Sequence, residues 1–211
     1  MDRRADVRDT YDRIATHFAA TREYAWPEVE SFVADATGRV GLDVGCGNCR
    51  HAELLADRVD RTIGLDVSRG LLETGRERAT DRAFAVDLVQ GDAATLPLRT
   101  DTVDLAVYVA TLHHLPTRES RLASLDELAR VLTPDGRALV SAWSTAHDRF
   151  DAEEGFDTTV EWTLPGGEPV DRFYHIYAPE EFEADLEESD LVVREWEVSS
   201  GNCYAEVAGR A

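Results

Sequence analysis

Residues 41–50 read GLDVGCGNCR, an apolar strand end followed by a glycine turn and a helix start. Such a turn can cradle a phosphate, hold a thiol pair at Cys46 and Cys49, or close over a cofactor without phosphate. The phosphate-loop pattern ends in Lys, and the chain contains no Lys. The dinucleotide pattern needs a third glycine where Arg50 stands. A carboxylate, Asp43, precedes the turn, placed to repel a pyrophosphate and attract a cation. The two thiols lack a second pair and completing histidines, so no metal is expected and they read as small residues filling a tight turn.

Two further acids follow. Asp66 should close the next strand, where an acid accepts hydrogen bonds from ribose hydroxyls. Asp92, in VQGDA (89–93), should end the strand after that, within reach of an adenine amine. Three carboxylates and a glycine turn at strand ends suit a ligand with adenosine, no phosphate and a positive end. S-adenosylmethionine, with a cationic sulfonium and amino group, has those properties.

The elements that must position these residues alternate. Val7, Tyr11, Ile14 and Phe18 recur at helical spacing over 3–20, and Pro27 suits the first turn of a second helix to about Ala36. Strands are expected at Val40–Val44, Thr62–Leu65, Ala83–Val89, Val103–Val109 and Ala138–Trp143. Helices are expected at Arg50–Arg58, after Ser68, and at Arg118–Leu132, with Pro134-Asp135-Gly136 as a turn. A helix at Pro179–Glu188 and strands at Leu191–Val198 and Cys203–Ala208 complete the chain. Short apolar strands between helices mean a parallel sheet covered on both faces, and the last two strands lie too close in sequence to be parallel. The expected fold is α/β: a doubly wound, mostly parallel seven-stranded sheet with a C-terminal antiparallel hairpin, in one domain over 1–211. Residues 1–36 would cover the cofactor site. Residues 144–173 are a polar insertion in which Thr158–Leu164 and Val170–Tyr177 either pair or form a mobile flap.

The 22 bases, all Arg, face 42 acids, a net charge of −20. In about 1 M salt the screening length is roughly 3 Å, so a dense acidic surface repels itself little, and a halophile's cytoplasm is the expected home. Apolar periodicity argues against acidic disorder. No run of apolar residues is long enough to span a membrane, and the charged N-terminus lacks the apolar core of a secretory signal.

With these motifs the chain resembles the class I S-adenosylmethionine-dependent methyltransferases. It is similar, more narrowly, to the family that methylates the carboxymethyl group on the wobble uridine of tRNA, forming the methyl ester. The likeness runs through YDRIATHFAATREYAWP (11–27), LDVGCGN (42–48), GLDVS (64–68), GDAATLPL (91–98), LHHLPTRESR (112–121), SAW (141–143), RFYHIY (172–177) and NCYAEV (202–207). The insertion is shorter than in eukaryotic members, and Pro116 stands where those carry a small hydroxyl residue. The resemblance implies a Rossmann-like methyltransferase fold and S-adenosyl-L-methionine held by Tyr11, Asp43, Gly45, Gly47, Asp66, Asp92 and Ala93. It implies a tRNA anticodon loop as substrate. It also implies a heterodimer with a small activating subunit over the edge strand near 83–89, which carries one charge and needs cover.

A carboxylate nucleophile is already ionised at neutral pH, so the site must desolvate and align it rather than deprotonate it. Arg22 is the expected anchor, with His113 or His114 as donor. Trp26, Trp143 and Tyr174 would stack the base, and His175 and Asn202 would close the pocket. Arg3, Arg4, Arg8 and Arg13 form the densest basic group, either a tRNA contact or a solvated helix face. Competing readings are a methyltransferase for a small carboxylate or phenol, and a catalytically silent cofactor-binding scaffold. A nicotinamide dehydrogenase is disfavoured by Asp43 and the missing glycine.

Overall fold

The computed structural model describes residues 3–209. Five parallel strands, β1 (Gly38–Val44), β2 (Val59–Asp66), β3 (Asp87–Gln90), β4 (Val103–Tyr108) and β5 (Leu132–Trp143), join the antiparallel pair β8 (Leu191–Ser199) and β9 (Asn202–Gly209). They form one sheet in the order β3-β2-β1-β4-β5-β9-β8. The chain reverses direction of travel across the sheet between β1 and β4, and there the carboxyl ends of the strands part into a crevice. The β8–β9 turn is Ser200-Gly201, both with positive φ, the two-residue geometry that matches strand twist.

Six helices surround the sheet: α1 (Arg3–Ala20), α2 (Pro27–Val33), α3 (Arg50–Ala56), α4 (Arg69–Arg82), α5 (Arg118–Val131) and α6 (Pro179–Glu188). The Ser68 hydroxyl accepts the Leu71 N–H to start α4, and Thr117 with Ser120 forms a reciprocal cap on α5. The core lies between sheet and helices, where Leu42, Leu65, Ala106, Tyr108, Leu125, Leu128 and Val140 are buried. Among the described residues no helix is long and apolar enough to cross a membrane.

Two expectations need revision, and of the two alternatives for the insertion the pairing one holds. The edge strand does not begin at Ala83. Ala83 takes a left-handed conformation that ends α4, and Phe84 and Val86 pack on the Cys46–Cys49–Leu72 cluster, leaving only four residues to pair with β2. The Pro134-Asp135-Gly136 turn is absorbed into β5 as an irregularity: Val103 pairs with Leu132 and Leu105 with Arg137. The insertion is a paired hairpin, β6 (Phe156–Thr163) antiparallel to β7 (Pro169–Ile176). It is tied to the sheet by Tyr177 N–H to Trp143 O, 3.0 Å, and Thr145 N–H to Tyr177 O, 2.8 Å.

Candidate active site

Two adjoining compartments open at the carboxyl ends of β1, β2 and β4. They share Phe18, Gly45, Gly47, Ala110, Thr111 and His114. The glycine turn forms their common wall. Gly45 has φ +71°, and a Cβ there would lie 2.2 Å from Thr111 Oγ1, so no other residue fits. Gly47 has φ +53° and open space before it.

The first compartment has a cavity volume of about 130 Å³. Val7, Leu65, Val67, Leu71, Leu115 and Pro116 give it apolar walls; Asp66, Asp92, Ala93 and Tyr11 also line it. Asp66 Oδ2 accepts the Gly47 N–H at 2.9 Å and Oδ1 the Ser68 N–H at 2.8 Å. Burial raises its carboxyl to about 6, against the pull of those two N–H groups. Asp92 Oδ1 accepts the Ala94 N–H at 2.8 Å. Helix α1 closes the top, held by Asp12 Oδ1, which accepts from Ser68 Oγ and Gly70 N. Apolar walls for a purine, two acids at strand ends and an unobstructed glycine turn fit an adenosine-bearing cation.

Asp43 requires correction. Its carboxylate does not line either compartment. It turns inward, 1% exposed, and accepts the Ala52 N–H at 2.9 Å, clamping β1 to α3 beneath the turn. Burial pushes its carboxyl up to about 7.

The second compartment has a cavity volume of about 330 Å³ and has the opposite chemistry. Arg22, Arg50, Arg149 and Arg172 line it, with His51, His113, His114 and His147, and no Asp or Glu does. Most arginines elsewhere hold a carboxylate, as Arg61 does Asp87 and Arg118 does Asp185. Among the described residues these four make no ion pair and lie instead against aromatic rings. Arg22 is 4.6 Å from the Phe18 ring centre, and Arg172 is 5.0 Å from that of Trp162 and 5.2 Å from that of Tyr174. Arg50 is 5.3 Å from the Trp26 ring centre and Arg149 is 5.7 Å from that of Trp143. Arg172 is buried, donates to Tyr174 Oη at 2.7 Å and leaves its Nε without a partner.

The histidine pair divides its work. His114 is tied on both sides: Nδ1 donates to Phe173 O at 3.0 Å, so Nε2 accepts from Tyr11 Oη at 2.9 Å. His113 Nδ1 accepts the Trp143 N–H at 2.9 Å, which leaves the proton on Nε2 as a donor. Its ring stacks on Tyr174, 5.0 Å between centres. Burial pushes His113 well below the usual histidine range, His114 to about 4 and His51 to about 3, so all three stay neutral.

Trp26, Trp143, Tyr174 and Asn202 all line this second compartment, and β5–β9 pairing sets Asn202 opposite Trp143. His175 lies outside it, a second correction. Along β7, side chains alternate, so Arg172 and Tyr174 face the compartment and His175 the other side. There its ring nitrogens lie 2.9 Å from Asp157 Oδ1 and 3.0 Å from Glu181 Oε1. The same alternation could have found Arg172, which sequence reasoning missed, as it missed Arg50 and His51. In the basic group on α1, Arg8 bonds Asp9 and Arg13 pairs with Glu168, which fits the second of its two readings, a solvated helix face, while the side chains of Arg3 and Arg4 lie outside the described part. Cys46 and Cys49 are free and buried, and the described residues hold no cluster of metal-ligating side chains.

Residues 42–140 match a methyltransferase-domain family. A tRNA (carboxymethyluridine(34)-5-O)-methyltransferase, alkbh8, of Xenopus tropicalis is 38% identical over 139 residues, 65% of this chain and 21% of that protein. A tRNA (carboxymethyluridine(34)-5-O)-methyltransferase of Saccharomyces cerevisiae is 34% identical over 164 residues, 75% of this chain and 57% of that protein. The chain thus spans about a fifth to somewhat over half the length of these relatives. A methyltransferase solved in complex with the Haloferax volcanii Trm112 methyltransferase activator superposes with a TM-score of 0.72, over 97% of this chain and 98% of that one, at 16% identity.

Proposed function

The chain belongs to the S-adenosylmethionine-dependent methyltransferases, and on that premise we propose that it esterifies the carboxymethyl group of a modified wobble uridine in tRNA. The partition of charge across the cleft supports this most. In a chain of net charge −20, four arginines without ion-pair partners line one compartment that no carboxylate enters. One carboxylate on the amino-acid end of the donor does not account for four guanidiniums, whereas an anionic acceptor does. The histidine states agree. A phenol or hydroxyl acceptor needs a base to remove its proton, but burial makes His51, His113 and His114 weak bases, and His113 Nδ1 and both ring nitrogens of His114 are already hydrogen-bonded. A carboxylate needs none.

S-adenosylmethionine, when bound, supplies an electrophilic methyl group to an oxygen nucleophile. Asp66, Asp92, Ala93, Gly45, Gly47 and Tyr11 hold it in the acid-lined compartment. Arg22 and Arg172 hold the acceptor carboxylate, His113 Nε2–H donates to it, and Tyr174 keeps Arg172 in place. Trp143 and Asn202 flank the base. Alignment of this kind contributes up to about 7–11 kcal/mol. The β6–β7 hairpin covers the acceptor and excludes water from it.

The cytoplasm is the expected setting, and the acidic surface suits strong salt. The partner is proposed at β3, a four-residue edge beside a groove of Phe84, Ala85, Val86 and Leu88. A small activating subunit would extend the sheet there; a Trm112 activator is the partner of the Haloferax methyltransferase that this chain superposes on. Gel filtration should show a heterodimer and poor solubility of the lone chain.

Labelled donor and bulk tRNA test the reaction. Label should enter nuclease-sensitive material and leave it in mild alkali, as an ester does. Label that survives alkali, or enters only small molecules, contradicts the proposal.

A further inference from the structure

Resting on that reading, we propose that Arg50, His51 and Trp26 form a second anion subsite that takes a phosphodiester of the polynucleotide carrying the acceptor base. Arg22 and Arg172 flank the same two rings, Phe18 and Trp162. They therefore serve one place, the acceptor carboxylate. Arg50 stands on a different ring, Trp26, and its nearest hydrogen-bond acceptor is Tyr24 O at 3.4 Å, a weak contact. Burial and the neighbouring charge of Arg22 lower it to about 10, against the pull of Asp43. His51 is beside it on the chain, 5% exposed and lining the same compartment, and its Nε2 has no partner. A buried polar atom left so is costly, and a ligand oxygen would relieve it. Trp26 is half-buried and also lines the compartment, offering a ring beside the cation to a ribose or base. A forked cation, an unpartnered ring nitrogen that donates in its Nε2–H tautomer, and an aromatic platform, beside a carboxylate site, match a phosphate linked to the modified nucleoside.

Two probes separate this subsite from the rest of the cleft: a short RNA hairpin with 5-carboxymethyluridine in its loop, and the free nucleoside. Affinities of the full chain, its Arg50→Gln and its Arg50→Lys variants are measured for both probes and for S-adenosylmethionine. Arg50→Gln should weaken the hairpin about ten- to a hundredfold, with nucleoside and donor changed by less than about twofold. Its log–log salt slope for the hairpin should shrink by about one. Arg50→Lys should keep the slope, which a folding defect would not. An equal loss for nucleoside and hairpin, or a loss of donor affinity, overturns the subsite and moves Arg50 to a carboxylate; an unchanged hairpin affinity overturns it too. A wild-type chain that binds donor but neither RNA probe fails one step earlier and removes the wobble-nucleotide reading along with the subsite.

Discussion

The two halves of the cleft share a glycine turn and one histidine, yet one presents Asp66 and Asp92 and the other four arginines and no acid. The acid-lined half is built from strand ends and backbone N–H groups. The arginine-lined half is built from side chains gathered off α1, the turn after β1, and the β6–β7 hairpin. One half suits a cation and the other an anion, and the two meet beside Thr111 and His114. Charge is thus sorted between adjoining compartments, in a protein whose overall charge would repel the proposed anionic acceptor.

The sharpest way to break this division is Asp66→Ala. It removes a carboxylate that receives two backbone N–H groups and faces the donor, so donor affinity measured by calorimetry should fall about a hundredfold or more. Acceptor affinity should fall far less; an equal loss would merge the halves. Arg172→Gln comes next. It takes away the charge beside Tyr174, and transfer to the acceptor should drop about ten- to a hundredfold while donor affinity holds.

Acidity acts on the first half alone. Asp66 titrates at about 6 in the ligand-free protein, and a cation binds its ionised form. Donor affinity should therefore fall about tenfold per pH unit below that value and level off above it. Stability has the opposite sign. Asp66 and Asp43 are raised from 3.8 to about 6 and about 7, so the folded state binds protons more readily than the unfolded chain across that window. From these two groups, stability of the ligand-free protein declines as pH rises through it, and bound donor should flatten the decline. Melting scans at stepped pH, with and without donor, read both signs. The smallest effect belongs to His175→Gln, which lies outside the cleft. Turnover should change by less than about twofold and stability by about 1–2 kcal/mol, since its contacts with Asp157, Glu181 and the Tyr177 ring are lost.

The first half was far more legible in the sequence than the second. Strand ends, a glycine turn and Asp66 are local features, and alternation of strands and helices places them at one rim whatever else the chain does. Asp43 misled because sequence position tells which strand an acid ends, not which way its side chain turns, and the Ala52 N–H offered a buried acceptor's partner. The second half depends on contacts distant in sequence. Arg22 meets Trp162 only when the hairpin folds over α1, and no period in the sequence announces that. Pairing of Thr158–Leu164 with Val170–Tyr177 was one of two alternatives open in the sequence, the other being a mobile flap, and nothing local decided between them. Alternation within RFYHIY was available and points Arg172, not His175, toward Tyr174's face. The edge strand was placed correctly in the sheet but drawn too long, because a left-handed Ala83 carries no sequence signal of the kind glycine gives.

Binding of 5-carboxymethyluridine and of its neutral amide analogue, titrated side by side in the presence of donor, tests the division of charge most directly. The account predicts that the carboxylate binds at least about tenfold tighter and that Arg172→Gln erases most of the difference. Equal affinity of the two nucleosides for the unaltered protein would contradict it.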